Sequence, residues 1–259
     1  MTLGKHKQMY KTKYKFLIHK NYTSLSKYLI NIKSYFNNNE NTIHKARNEL
    51  KIINYENTDT VVKAFKVPHL LNKIVYSYFR NSKAKKSYDY SLKINNFTPN
   101  PIGYIEFYTY GLLGESYFIS EEFKYDFTIR EPLLDNNFAN RDEIFKAFTR
   151  FTFELHEAQI LHQDYSPGNI LIKKENDTLV FKVVDINRME FRSLTLDERL
   201  KNFSKLWANN DELTIMAKEY AKVSNTEEII CIEKMLYYNT KHKNKINMKK
   251  RLKGIKVVD

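Results

Sequence analysis

One cysteine, Cys231, stands in the whole chain, so no internal disulfide can form and a fold held by oxidation is excluded. Glycine is scarce too: there are six in 259 residues, and none builds a G-x-G-x-x-G phosphate loop. Proline numbers only five, which rules out an extended proline-rich architecture. The amino-terminal residues lack the apolar core of about 7 to 15 residues that a secretory signal needs. No apolar run approaches the roughly 18 residues of a membrane span, so the expectation is a cytoplasmic protein whose membrane association, if any, is peripheral. What remains is 42% hydrophobic and 14% aromatic, enough to build a globular core.

Charge is abundant and segregated. Residues 1–90 carry 18 Lys or Arg against 5 Asp or Glu, residues 91–240 carry 17 against 24, and residues 241–259 carry 8 against 1. Codon bias explains many lysines but not their separation into two basic ends around an acidic middle. Such ends suit mere solubility or, equally, an anionic partner: a phosphorylated lipid headgroup, a membrane surface or nucleic acid. No nucleic-acid motif accompanies them, so nucleic acid ranks last.

The chemistry concentrates in HQDYSPGNILI, His162 to Ile172, and LVFKVVDIN, Leu179 to Asn187. In an HxDxxxxN loop the aspartate accepts the proton of an attacking hydroxyl and the asparagine holds a metal ion. Asp164 and Asn169 fit those roles, and Asp185, 16 positions beyond Asn169, supplies the second carboxylate at the end of an apolar run. Ser166, Pro167 and Gly168 form a turn that lets both side chains face one pocket. Ile170 to Lys173 and Leu179 to Val184 read as a hairpin turned by Lys174 to Asp177, delivering Asn169 and Asp185 together. Alone, His162 and Asp164 would equally suit a capped loop; the hairpin and Asp185 favour catalysis.

The rest of the pattern divides the chain in two. Lys13 to His19 alternates like a strand, and Ser24 to Phe36 places Leu25, Tyr28, Leu29, Ile32 and Phe36 on one helical face, broken by the Asn-rich run that follows. Thr42 to Tyr55 and Thr60 to Phe65 read as strands about a turn at Asn57 to Asp59. Lys63 in VVKAF requires an anionic partner or an exposed face. A helix is expected over Ser82 to Ile94, with Asp89 as its only carboxylate, and two further strands over Phe97 to Ser120, turned near Gly111 to Gly114. Glu121 to Tyr125 follows as a connector whose backbone suits a purine edge. A core helix from Asn140 or Asp142 to Gln159 uses Ile144, Phe148, Phe151, Leu155 and Ala158, and makes His156 a hydrogen-bonded structural histidine. Helices are expected over Leu196 to Trp207, Asp211 to Val223 and Glu227 to Tyr238, with a partly mobile Lys-rich tail from Lys241.

Lys63, Asp89, Asp164, Asn169 and Asp185, in that order, resemble the protein-kinase-like superfamily. The blocks VVKAFK, RNSKAKKSYDYS, TPNPIGYIE, HQDYSPGNILI and VVDINR are similar to the lipopolysaccharide core kinases, the Kdo and heptose branch. The resemblance implies an α+β, bilobal fold: a small antiparallel-sheet lobe with one key helix over residues 1–120, binding nucleotide, and a mainly helical catalytic lobe over 121–259. It further implies transfer of the γ-phosphoryl group of ATP, with Mg²⁺, to an inner-core sugar hydroxyl of a lipid-anchored oligosaccharide at the cytoplasmic face of the inner membrane. Asp164 would be the base, Asn169 and Asp185 the metal ligands, Lys63 the phosphate-binding lysine paired with Asp89, Glu121 part of the nucleotide site, and His162 the loop's brace. Arg188 would bridge to a neighbouring acid or face the acceptor. In place of a glycine loop, His44 to Asn48 would cover the phosphates. DIN in place of DFG, with no APE-like segment after it, argues against a regulated protein kinase. The alternatives are a kinase of aminoglycoside or choline type and a pseudokinase scaffold.

Overall fold

Residues 13–45 and 48–256 are described by the computed structural model, without the side chains of His44 and Lys45. Two units emerge, Met1–Asn95 with Pro99–Phe123, and Asn96–Thr98 with Lys124–Asp259. The first holds β1 (Lys13–Ile18), α1 (Ser26–Ile30), α2 (Ile32–Asn38), β2 (Thr42–Lys45), β3 (Glu49–Tyr55), β4 (Thr58–Phe65), α3 (Leu70–Tyr78), α4 (Lys83–Ile94), β5 (Pro101–Thr109) and β6 (Leu112–Glu121). Its strands form one six-stranded sheet in the order β1-β5-β6-β4-β3-β2, with every pair antiparallel.

The helix expected over Ser24 to Phe36 is two helices, because Asn31 leaves helical geometry (φ −98°, ψ 13°) and its side-chain amide donates to the Lys27 carbonyl at 2.9 Å. Its apolar face survives the break: Leu25, Tyr28, Leu29, Ile32 and Phe36 are all buried against Ile53, Val62, Ile105, Tyr117 and Ile119 of the sheet. The Tyr28 hydroxyl reaches Thr60 Oγ1 at 2.8 Å, and Thr60 in turn donates to the Ile53 carbonyl at 2.7 Å. Both hairpin turns are tighter than expected. The β3–β4 turn is Glu56–Asn57, with φ of 46° and 65°, and not Asn57 to Asp59; Thr58 already pairs with Tyr55. The β5–β6 turn is Tyr110–Gly111 (φ 53° and 77°), while Gly114 lies inside β6. Two consecutive left-handed residues match the twist of the strands they join. Gly103 lets β1 approach, since a Cβ there would lie 2.6 Å from the Leu17 carbonyl oxygen.

The second unit holds β7 (Phe127–Thr128), α5 (Arg130–Leu134), α6 (Arg141–Glu157), β8 (Ile160–His162), β9 (Ile170–Glu175), β10 (Thr178–Val183), β11 (Met189–Phe191), α7 (Leu196–Asn202), α8 (Asn210–Ser224) and α9 (Glu228–Arg251). Small sheets β10-β9-β7 and β11-β8 lie within an otherwise helical unit, and the chain as a whole is α+β. Ile144, Phe148, Phe151 and Leu155 of α6 are buried as expected, but Ala158 caps the helix and is exposed. The Lys-rich tail from Lys241 is helical, because α9 continues well past Tyr238. Trp207, in left-handed geometry (φ 62°), supplies the reason. Lys243 Nζ donates to the Ala208 carbonyl at 2.8 Å, and the ammonium groups of Lys243 and Lys250 stand 6.0 and 5.4 Å from the indole centroid. Among the described residues no helix is long and apolar enough to cross a membrane.

Candidate active site

Pairing fixes the candidate catalytic segment at both ends. β8 pairs with β11 so that His162 lies opposite Met189, and β9 pairs with β10 so that Ile170 lies opposite Val183. The β9–β10 turn is only Asn176–Asp177, since Glu175 and Thr178 already pair, so the strands run longer than the sequence suggested. Between β8 and β9, Ser166 caps a 3₁₀ turn at Pro167–Asn169, with proline at its first position.

His162 is buried and ties the segment across itself. Its Nε2–H donates to the Val184 carbonyl at 2.9 Å, and its Nδ1 accepts the Asp164 amide at 3.1 Å. Those partners require the neutral ring with the proton on Nε2, and burial pushes the imidazole below its ordinary range, which keeps it neutral. Asn169 closes the loop from the other side: its Nδ2 donates to the Asp164 carbonyl at 2.9 Å, and its own carbonyl accepts the Val184 amide at 2.9 Å. With Nδ2 so engaged, Oδ1 is the atom Asn169 has left for a ligand. Asp164 and Asp185 are thus tethered through Val184 to the same two residues, and their carboxylates both raise the proton affinity of His162.

Tyr165 is the anchor. Its ring is fully buried, stacked on Phe148 at 5.8 Å between centroids, and its hydroxyl meets Thr152 Oγ1 at 2.8 Å. A second line of support runs from α8: Tyr220 hydroxyl to His156 Nδ1 at 3.0 Å, His156 Nε2 to Asn202 Oδ1 at 3.3 Å, and Asn202 Nδ2 to the His162 carbonyl at 3.1 Å. Burial drives the His156 pKa down to about 4, so it is a neutral structural histidine, as its place on α6 suggested.

Asp185 adopts left-handed geometry (φ 56°), a region few residues other than glycine, asparagine and aspartate enter without strain. Its Oδ1 accepts from Asn187 Nδ2 at 2.5 Å. Arg188 is largely exposed and places Nη1 3.8 Å from Asp164 Oδ2, so the neighbouring acid it approaches is the candidate base itself. Two residues here escaped sequence reasoning. Asn187 orients Asp185, and Arg130 lays its guanidinium on the turn, 2.5 Å from where a Gly168 Cβ would sit. The unassigned DIN variant hinted at the first; only folding brings the second near.

The candidate nucleotide residues of the other unit sit on separate elements. Lys63, half-buried on β4, pairs with Leu50 and Phe118, and its ammonium stands 5.4 Å from the Phe65 ring centroid. Asp89 on α4 accepts from Lys85 Nζ at 2.7 Å, an i,i+4 ion pair. Glu121 ends β6; its side chain accepts from Asn100 Nδ2 at 2.7 Å. The Glu121 amide donates to the Asn100 carbonyl and the Glu122 amide to the Asp59 carbonyl, both at 2.9 Å, so a purine acceptor must look to Phe123–Tyr125 for an N–H. Of the expected phosphate cover, Ala46 and Arg47 lie outside the described residues.

Among the described residues no group of three or more His, Cys, Asp or Glu is placed to hold a metal. A metal here would rest on Asn169 Oδ1 and the Asp185 carboxylate, two hard oxygen donors that leave positions for phosphate oxygens. That donor set fits Mg²⁺.

Residues 133–226, which include the whole catalytic segment, match the family described as Lipopolysaccharide kinase (Kdo/WaaP) family. A solved structure described as "WaaP in complex with acyl carrier protein" shares the fold, with a TM-score of 0.58 at 12% identity, over 89% of this chain and 98% of that one. No curated protein matches the chain in sequence. The family match covers the segment from His162 to Asn187 and its surroundings, and the likeness to the solved structure is one of fold.

Proposed function

We propose that this protein transfers the γ-phosphoryl group of ATP to a sugar hydroxyl, Kdo or heptose, of the lipopolysaccharide inner core. The observation that carries the reading is the cross-braced loop in which His162, Asn169 and Val184 tie Asp164 to Asp185. Phosphoryl transfer needs little covalent help from the protein; positioning and charge neutralisation do most of it, and a rigid loop serves both. Asp164 orients the acceptor hydroxyl and takes its proton. Asn169 and Asp185 would hold Mg²⁺, which would neutralise phosphate charge during transfer. Lys63 reaches the α- and β-phosphates, Asp89, which it would share with Lys85, is its orienting acid, and Glu121 with the residues after it meets the adenine. Residues 1–120 serve as the nucleotide-binding lobe and 121–259 as the catalytic lobe. Arg188, beside Asp164, offers a cation to an anionic acceptor.

Labelled phosphate from ATP, supplied with lipopolysaccharide core fragments in one arm and free amino sugars and amino alcohols in the other, tests the acceptor. Label on the core fragment alone supports the reading. Label on an amino sugar or amino alcohol replaces it with a small-molecule kinase. Binding of ATP with Mg²⁺ and no transfer to any acceptor replaces it with a scaffold.

A further inference from the structure

α3 is built inside out. Amphipathic helices normally turn their apolar stripe to the core. Here Leu70, Ile74 and Tyr78 recur at four-residue spacing with Leu71 beside them, and all four are exposed, as is Phe79 just beyond; none of the helix's residues is buried. Leu71 and Phe79 keep 78% and 79% of their surface. The half-buried residues of the helix are Lys73, Val75, Tyr76 and Ser77, and Ser77 Oγ accepts the Leu113 amide of β6 at 2.8 Å and donates to the Lys73 carbonyl at 2.6 Å. Tyr110, at the tip of the β5–β6 hairpin, adds a further exposed aromatic, and its neighbour Gly111 lies against Tyr78, whose hydroxyl is 3.4 Å from where a Gly111 Cβ would sit. Large apolar side chains exposed together along one helix call for a partner.

The charge around it identifies the partner. From Thr60 to Tyr88 the sequence has no Asp or Glu, and besides Lys63 and Lys85, which serve elsewhere, Lys66, Lys73, Arg80, Lys83 and Lys86 fall in that stretch. Lys66 and Arg80, just outside the two ends of α3, are exposed. Leucines on one face, phenolic and phenyl rings at the margin and cations at both ends are the composition of a helix that lies in the headgroup layer of an anionic bilayer. We propose that α3, with Tyr110, is a membrane-docking element that inserts its apolar face into an anionic lipid surface. This deepens the proposed function, since a lipid-anchored acceptor is presented at such a surface.

The test is co-sedimentation of the full chain with sucrose-loaded vesicles, either phosphatidylcholine alone or phosphatidylcholine with about 30% phosphatidylglycerol. Wild type is expected to favour the anionic vesicles, with binding weakened by salt. Leu70→Ser with Leu71→Ser is expected to cut the partition coefficient about 100-fold, roughly tenfold per leucine, at an unchanged melting temperature and unchanged transfer to a delipidated core fragment. Equal partition of variant and wild type overturns the inference, as does failure of wild type to bind anionic vesicles. So does a dimer that the double variant dissolves while vesicles are ignored, or a complex with an acidic protein such as acyl carrier protein that shows the same dependence. Vesicle binding without any phosphate transfer would sink the proposed function and leave the docking surface standing; transfer to the soluble fragment without vesicle binding would do the reverse.

Discussion

The catalytic segment and α3 treat their side chains in opposite ways. From His162 to Asn187 the chain spends buried groups on fixing a loop: a neutral imidazole bonded at both nitrogens, a buried tyrosine and an asparagine bonded through side chain and backbone. Along α3 and at Phe79 just beyond it the chain leaves five large apolar side chains in solvent, while Ser77 bonds the sheet. Rigid atoms are needed where charge is handled; exposed apolar surface is tolerated only where something outside the chain will cover it.

Breaking the first region should therefore cost far more than breaking the second. Asp185→Ala is expected to lower phosphate transfer by roughly 10³-fold or more, because the proposed metal site would lose the carboxylate assigned to it, with the fold retained by circular dichroism. Activity close to wild type would remove Asp185 from the metal site. His162→Ala leaves the Val184 carbonyl and the Asp164 amide without a partner and opens a cavity. It should cost about 2 to 4 kcal/mol in denaturant unfolding, and lower kcat more than it raises KM for ATP.

Acid offers a milder break. His156 titrates near 4 in the fold, below its ordinary value, so the unfolded chain takes up the proton first as pH falls. The stability held by the neutral ring is full above about pH 6.5 and is lost as pH drops toward 4, about 2 to 3 kcal/mol by pH 4.5. His162, shifted the same way by burial, adds to that loss. Unfolding free energies measured from pH 7 to 4.5 should show this slope, and His156→Gln should flatten it. At the small end stands the double leucine variant of α3, which should change unfolding free energy by less than about 0.5 kcal/mol, since the side chains it trims are already in water.

How much of this was legible in the sequence follows from the range of each interaction. The HxDxxxxN spacing, the hairpin that follows and the stripe from Leu25 to Phe36 are local patterns, and the structure carries each of them. The kink at Asn31 and the tight turns at Glu56–Asn57 and Tyr110–Gly111 shift boundaries without moving faces, because pairing register overrides turn propensity. The length of α9 was hidden because its lysines read as a solvated tail, and their partner Trp207 lies more than thirty positions earlier. Arg130 against Gly168 and the Tyr220–His156–Asn202 line were invisible for the same reason: each joins elements that only packing brings near. The outward face of α3 is a different case, since its periodicity is that of an ordinary core helix and only the folded chain shows which side meets the sheet.

Asp164, within its braced loop, is the proposed acceptor of the proton from an acceptor hydroxyl. Transfer of labelled phosphate from ATP to a lipopolysaccharide core fragment, compared between wild type and Asp164→Asn, tests it most directly. The wild type should yield a labelled sugar, and the variant about 10²- to 10⁴-fold less at similar affinity for ATP with Mg²⁺. Equal turnover by the two proteins would contradict it.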